Sequence, residues 1–250
     1  MGAVKIEDAG GCTWLRLSTG ASNALTIDVV GELASAFDRA VGLGKGVVLC
    51  GGERFFCNGL DLAWALSRSP DGMRGMFLAL GDLVLKMLEC PVPLVGAIKG
   101  HAIGAGKTLF MACDYRYAAT GRVLIGMPEI LLGVPNPYFA DQLVRHIAGD
   151  VVASDLIYSG RMIEADQCVA NGIVHEVFDR EAVEEEGRRK AVELGALPRQ
   201  AFVASKAMRG VRLCRRIRAG IAEHTDRLVE TWYGAEAQAR LRAAARRLAG

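Results

Sequence analysis

Two short glycine-bearing stretches and one isolated carboxylate carry the chemistry open to this sequence. Gly104, Ala105 and Gly106 stand between an apolar run, Pro93 to Ile98, and a helix-like run, Lys107 to Cys113, so small residues mark the point where a strand becomes a helix. Backbone N–H groups at such a turn lack intrahelical partners and point outward. They can cradle a phosphate or stabilise an oxyanion, although the same pattern also serves as a tight packing turn. The second stretch, Gly51 to Leu60 (GGERFFCNGL), follows the strand-like run Gly46 to Cys50 and ends on Asn58-Gly59, just before Asp61. Val47 to Leu62 and Leu94 to Met111 therefore share one order: strand, glycine-bearing loop, helix. Stacked as turns of a repeated ββα-like unit, the two loops would meet at one end of neighbouring strands, each offering one N–H to the same ligand atom. The plainer reading makes Asn58-Gly59 a turn and Asp61 a helix cap. Glu129, after Pro128, is the isolated acid of this region.

The elements that must position these residues follow from pattern. Val4 to Glu7 and Thr13 to Leu17 alternate like strands across Ala9-Gly10-Gly11, a hairpin signal. Thr26 is placed as an N-cap and Asp28 in a first turn, with Val29, Leu33, Ala36, Phe37 and Ala40 at helical spacing before Gly42 and Gly44. Two helical stretches separated by Ser69-Pro70 reach Cys90, and Pro91 and Pro93 bracket the turn into a buried strand, Leu94 to Ile98. Asp141 falls on a helix running toward Gly149. Further on, Glu181 to Glu193 reads as a charged amphipathic helix, Pro198 starts another, and Ile221 to Tyr233 and Ala235 to Leu248 read as two more. The division expected is a core over residues 1–195 and a helical region over 196–250 that packs on the core or on a neighbouring subunit.

Composition narrows the class. A chain of 250 residues, 51% hydrophobic and 23% charged, suits a globular fold with a sizeable core. A net charge of +2 gives no reason to expect nucleic acid. Seven cysteines without CxxC spacing argue against a disulfide framework or a zinc site, and the histidines form no ligand set. No apolar run approaches the ~18 residues of a membrane span, and no signal-peptide core opens the chain. The expectation is a cytoplasmic protein without membrane or metal.

Four motifs in order carry a resemblance. Asn23-Ala24-Leu25, FFCNGLDL (Phe55 to Leu62), GHAIGAGKTLFMACDYRYA (Gly100 to Ala118) and IGMPEILLG (Ile125 to Gly133), followed by Ser159-Gly160 and ADQCVANGIVHEV (Ala165 to Val177), resemble the enoyl-CoA hydratase/isomerase (crotonase) superfamily over roughly residues 4 to 190. The resemblance implies an α/β fold, a spiral of ββα units with a C-terminal helical region, assembled as a homotrimer or a dimer of trimers. It implies an acyl-CoA thioester as substrate, with coenzyme A part of that substrate and no separate cofactor. Carried onto this sequence, the backbone N–H groups of Leu60 and Ala105 become the two oxyanion donors. Ala105 stands where the family usually has glycine, a change that keeps the donor. Cys57, Asn58, Gly59, Asp61, Gly104 and Gly106 would shape the substrate site around them, Asp61 by capping the next helix.

The acids then choose the reaction. Family hydratases hold a water between two glutamates, and here the first aligns with Thr108 and the second with Glu129. A hydroxyl cannot take a proton from water as a carboxylate does, so hydration is disfavoured. The 3-enoyl-CoA to 2-enoyl-CoA isomerases of the family lack the first glutamate and keep the second, and tend to read GLDL where hydratases read GADL, as Gly59 to Leu62 does. The segment Leu132 to Phe139 (LGVPNPYF) also resembles the isomerases, and aromatic bulk there would exclude water beside Glu129. Glu129 is thus expected as the single base. Another reaction of the superfamily, hydration or C–C bond cleavage, is the alternative, and a non-catalytic acyl-CoA-binding protein is the third reading. Asn136, Tyr138 and Trp64 are candidates for the acyl pocket, Trp64 serving core packing equally well. The basic run Lys206 to Arg218 reads as a solvated helix face, although coenzyme A phosphates meet basic residues near here in the family.

Overall fold

The structure, a computed structural model, describes residues 2–249. β1 (Val4–Ala9) and β2 (Cys12–Leu17) form the antiparallel hairpin, with Gly10 and Gly11 in the left-handed region its turn requires. Helix α1 (Ile27–Gly42) starts where Thr26 accepts a hydrogen bond from the Val29 N–H at 3.3 Å. Then come β3 (Val47–Cys50), β4 (Phe55–Cys57), α2 (Leu62–Leu66) and α3 (Pro70–Glu89), the last capped by Ser69 with Pro70 at its first turn. The next turn of chain is β5 (Leu94–Ile98), β6 (His101–Ile103) and α4 (Ala105–Met111), and the one after it is β7 (Tyr115–Ala119), β8 (Leu124–Gly126), a 3-10 turn at Pro128–Leu132 and α5 (Tyr138–Ser159). The chain closes with β9 (Met162–Glu164), α6 (Ala165–Ala170), β10 (Glu176–Phe178), α7 (Val183–Gly195), α8 (Arg199–Trp232) and α9 (Ala235–Ala249).

One sheet runs β1-β2-β3-β5-β7-β10 and the other β4-β6-β8-β9. Each turn, β3/β4, β5/β6 and β7/β8, puts one strand into each sheet before its helix, and equivalent strands pair in parallel. This is the expected spiral of ββα units, with three stacked turns where two were legible. Strands β3 and β5 are buried at every residue, as inner strands of a covered sheet must be. Two glycines set the spacing of α4. A Cβ on Gly96 of β5 would lie 2.7 Å from the Phe110 ring, and one on Gly106 would lie 2.2 Å from the Cys57 carbonyl oxygen.

The C-terminal region is helical as expected, but its division differs. Residues 199–232 form one helix of 34 residues rather than two. Gly220 does not interrupt it, since a helical glycine costs only about 1 kcal/mol relative to alanine. It is there because a Cβ would sit 2.7 Å from the Tyr138 ring. Leu213, Cys214 and Ile217 of α8 enter the main hydrophobic core, while Ala237 and Leu241 of α9 join a second cluster with Phe77, Val134 and Trp232. Helix α5 is broken at Gly149, whose φ of 80° ends one helix and lets another begin. Among the described residues, no helix is long and apolar enough to cross a membrane.

Candidate active site

The two glycine-bearing loops meet. A Cβ on Gly59, at φ +84°, would lie 3.2 Å from the Ile103 carbonyl oxygen and 3.6 Å from the Ala105 nitrogen, so the first loop touches the start of α4. The loop is fixed from behind by a bridge to Leu25: the Leu25 N–H donates to the Gly59 carbonyl (2.8 Å) and the Asp61 N–H to the Leu25 carbonyl (3.0 Å). That alternation turns the Leu60 N–H the other way. Neither it nor the Ala105 N–H, in the first turn of α4, donates a hydrogen bond among the described residues. Asn23 is the clamp beneath. It is buried at φ 45°, its amide nitrogen donates to the carbonyls of Leu17, Phe55 and Phe56, and its amide oxygen accepts from the Thr19 N–H. Asp61 accepts from the Trp64 N–H at 2.9 Å, the helix cap foreseen for it.

Leu60 and Ala105 open onto a cavity of about 350 Å³, mostly apolar, together with Asn58, Gly59, Gly104 and Glu129. Glu129 is its only carboxylate among the described residues. The 3-10 turn carries it there, and a Cβ on Gly104 (φ +56°) would lie 3.1 Å from its Oε1. Glycine at 104 thus admits both the backbone turn and the acid. The residue is half-buried, but its Oε2 is shut off from solvent and has no hydrogen-bond partner among the described residues. Burial therefore dominates its titration and pushes the carboxyl from 4.5 up to about 7, against smaller lowering effects from its own backbone N–H and from Lys107.

Other expected residues fall behind the wall rather than in it. Thr108 is 2% exposed and its hydroxyl donates to the Gly104 carbonyl at 3.2 Å, an intrahelical bond that turns it from the cavity. Cys57 is wholly buried under α4, and Gly106 is a packing contact on it. Asp61 works as a cap, and the Trp64 ring lies under the Arg68 guanidinium at 5.3 Å. Tyr138 does not fill space beside Glu129. Helix α5 begins at this residue and directs its ring onto His224 of α8 at 4.2 Å, while Phe139 goes into the core between α3 and α8. The bulk around Glu129 comes instead from Phe77, Leu80, Leu132, Val134 and Trp232. Asn136 lies between Pro135 and Pro137, both in the wall, with both amide atoms buried and unpartnered among the described residues. His101 is structural: its Nδ1 accepts from the Leu124 N–H at 2.9 Å and ties β6 to β8.

Two features had no reading at the sequence level. Helix α9 closes the cavity with Ala244, Arg247 and Leu248 from the same chain. Lys107, two residues after Ala105, is 1% exposed. Its Nζ has no hydrogen-bond partner among the described residues.

Three curated relatives set this geometry in context. The chain is 33% identical to the peroxisomal bifunctional enzyme of Homo sapiens over 173 residues, 68% of this chain and 23% of that one. It is 30% identical to enoyl-CoA delta isomerase 3 of Arabidopsis thaliana over 154 residues (59% and 65%). It is 31% identical to crotonyl-CoA hydratase of Syntrophomonas wolfei over 194 residues (75% and 73%). The chain thus spans about a quarter of the first relative's length and just under two thirds of the second's. Among solved structures, human mitochondrial delta3-delta2-enoyl-CoA isomerase superposes with a TM-score of 0.93 over 99% of this chain and 98% of that one, at 24% identity, a likeness of fold. Residues 9–238 match the sequence profile of the enoyl-CoA hydratase/isomerase family, and the chain belongs to that family.

Proposed function

We propose that this chain isomerises 3-enoyl-CoA thioesters to 2-enoyl-CoA thioesters with Glu129 as its single acid–base group. The observation that carries the reading is that one carboxylate, and no second, shares a cavity wall with Leu60 and Ala105 among the described residues. The Glu129 carboxylate takes the α-proton, and the electron pair moves into a dienolate whose negative charge lies on the thioester oxygen. The Leu60 and Ala105 N–H groups receive that charge, each such donor being worth roughly 3 kcal/mol of barrier. The carboxylic acid just formed on Glu129 then delivers the proton to the γ-carbon, which restores the carboxylate and leaves the double bond conjugated. A base with a pKa of about 7 is matched to both transfers. The apolar wall slows exchange of the travelling proton with water.

Hydration is the competing chemistry, given the hydratase among the relatives, but Thr108 offers no second carboxylate and its hydroxyl is already engaged. The same reading makes the protein a cytoplasmic homotrimer or hexamer. Its described cysteines are all buried thiols, and Ile130, Leu131, Tyr158 and Met162 are exposed around the 3-10 turn and the end of α5. The test is turnover of α-deuterated 3-enoyl-CoA in ordinary water. Deuterium partly retained at the γ-carbon is the expected result. Complete washout at early conversion refutes a single shielded base, and efficient hydration of 2-enoyl-CoA without isomerisation refutes the reaction.

A further inference from the structure

We propose that Lys107 is the buried counter-charge of this site, a positioning residue that keeps the Glu129 carboxylate ionised inside an apolar cavity. The inference rests on Glu129 being the base. Helix α4 is buried at every residue from Ala105 to Met111, so the lysine has no solvent face to reach. Its Nζ has no hydrogen-bond partner among the described residues, and the Oε2 of Glu129 is also buried and unpartnered. Two unpaired ionisable groups in one apolar interior are each costly, and mutual attraction is what offsets the cost. The lysine is held down to about 8 by burial, with Glu129 and then Cys168 of α6 opposing. It is therefore cationic at neutral pH, when Glu129 is losing its proton.

Lys107 acts on the Glu129 carboxyl and Glu129 on the Lys107 ammonium, and the other groups around them are neutral, paired or at the cavity mouth. Cys57 of β4 and Cys168 are thiols pushed up to about 12 by burial, hence neutral. On β6, His101 is held down by burial and then by Arg122, Arg54 and Arg180. On α5, Asp141 pairs with Arg145, and His146 is held down by burial and then by Arg209, Arg116 and Arg216. On α9, Arg240 pairs with Glu236, and Arg247 is a second cation in the cavity wall. The cation remains once Glu129 has taken the substrate proton. The interior that then holds a negative dienolate on the Leu60 and Ala105 donors still contains one positive charge, two residues along the helix that supplies the second donor.

The experiment follows each group directly, by NMR of protein labelled at the glutamate carboxyl carbons and the lysine Nζ, without substrate. In Lys107→Met the Glu129 midpoint should move up from about 7 by roughly one pH unit, and in Lys107→Arg it should stay near the wild-type value. In Glu129→Gln the Lys107 midpoint should fall below about 8, the reciprocal of the same coupling. The acidic limb of kcat/KM should rise in pH with the Glu129 midpoint in Lys107→Met, with KM little changed. A folded Lys107→Met whose Glu129 midpoint does not rise overturns the inference. If that variant does not fold, an unmoved Lys107 midpoint in Glu129→Gln overturns it instead. Wild-type protein that turns over no 3-enoyl-CoA sinks the proposed reaction, while the two titrations still decide the role of Lys107.

Discussion

Replacing Glu129 by glutamine is predicted to abolish isomerisation and, at the same time, to make the fold more stable above neutral pH. Burial raises this carboxyl from 4.5 to about 7, so the folded protein holds the proton more tightly than the unfolded chain. For a group shifted in that direction, the stability contribution is complete below 4.5 and is lost as pH rises through 7. With one pKa unit equal to about 1.36 kcal/mol, the interval between the two values corresponds to on the order of 3 kcal/mol. The value of about 7 already includes the Lys107 attraction, and because pH 5 lies above the unfolded value of 4.5, at least about 2 kcal/mol of that interval is visible between pH 5 and pH 8. Urea unfolding of wild type and variant at pH 5 and pH 8 reads the effect. The stability of the variant relative to wild type should increase by about 2 kcal/mol between the two conditions. Turnover should fall by at least ~10²-fold. A relative stability that is the same at both pH values would show that the carboxyl titrates as if solvated, and the raised pKa on which its role as base depends would be refuted.

Two further substitutions separate the cavity wall from the residues behind it. Thr108→Val removes the bond to the Gly104 carbonyl and should cost about 1 kcal/mol of stability by thermal or urea unfolding, while turnover stays within severalfold because the hydroxyl does not face the cavity. Gly104→Ala places a Cβ 3.1 Å from the Glu129 Oε1 at a φ of +56°. It should lower kcat by more than tenfold through displaced acid and donor, with about 1–3 kcal/mol of backbone strain in unfolding measurements, since φ 56° with ψ −120° lies outside even the left-handed helical region.

The legible part of the fold was the part written in local rules. Thr26 caps a helix because its hydroxyl can accept from the first turn, Ser69-Pro70 separates two helices as read, and Gly10-Gly11 turns the hairpin because both must take positive φ. None of these depends on what lies across the molecule. The third ββα turn was not legible because its helix does not follow β8 directly but is delayed by the 3-10 turn that carries Glu129, whereas β8 is no shorter than β4 or β6. The long helix α8 was divided at the sequence level, with one helix starting at Pro198 and Ile221 to Tyr233 read as another, although Gly220 at the join does not break it. What decides there is tertiary: the Tyr138 ring occupies the space a side chain would need. Tyr138 itself was misplaced for the same reason, since only the start of α5 beside α8 fixes where its ring goes.

Within the site, legibility followed the chemical group that does the work. In the proposed reaction Leu60 and Ala105 act through backbone N–H groups beside glycines at 59 and 104, and glycines are visible in a sequence. Glu129 was visible because no other acid stands near it. Lys107 was not, because a lysine at the start of a short helix reads by default as a solvent-facing charge. The signal that could have found it lies in its neighbours. From Ala105 to Cys113 the chain is AGKTLFMAC, apolar on every side of a helix, and such a helix has no polar face. A charge inside it must be buried, and a buried charge must be balanced or neutralised. The acid that could balance it is the one carboxylate of the loop that packs against the start of that helix, so the two residues least alike in sequence context belong to one electrostatic unit.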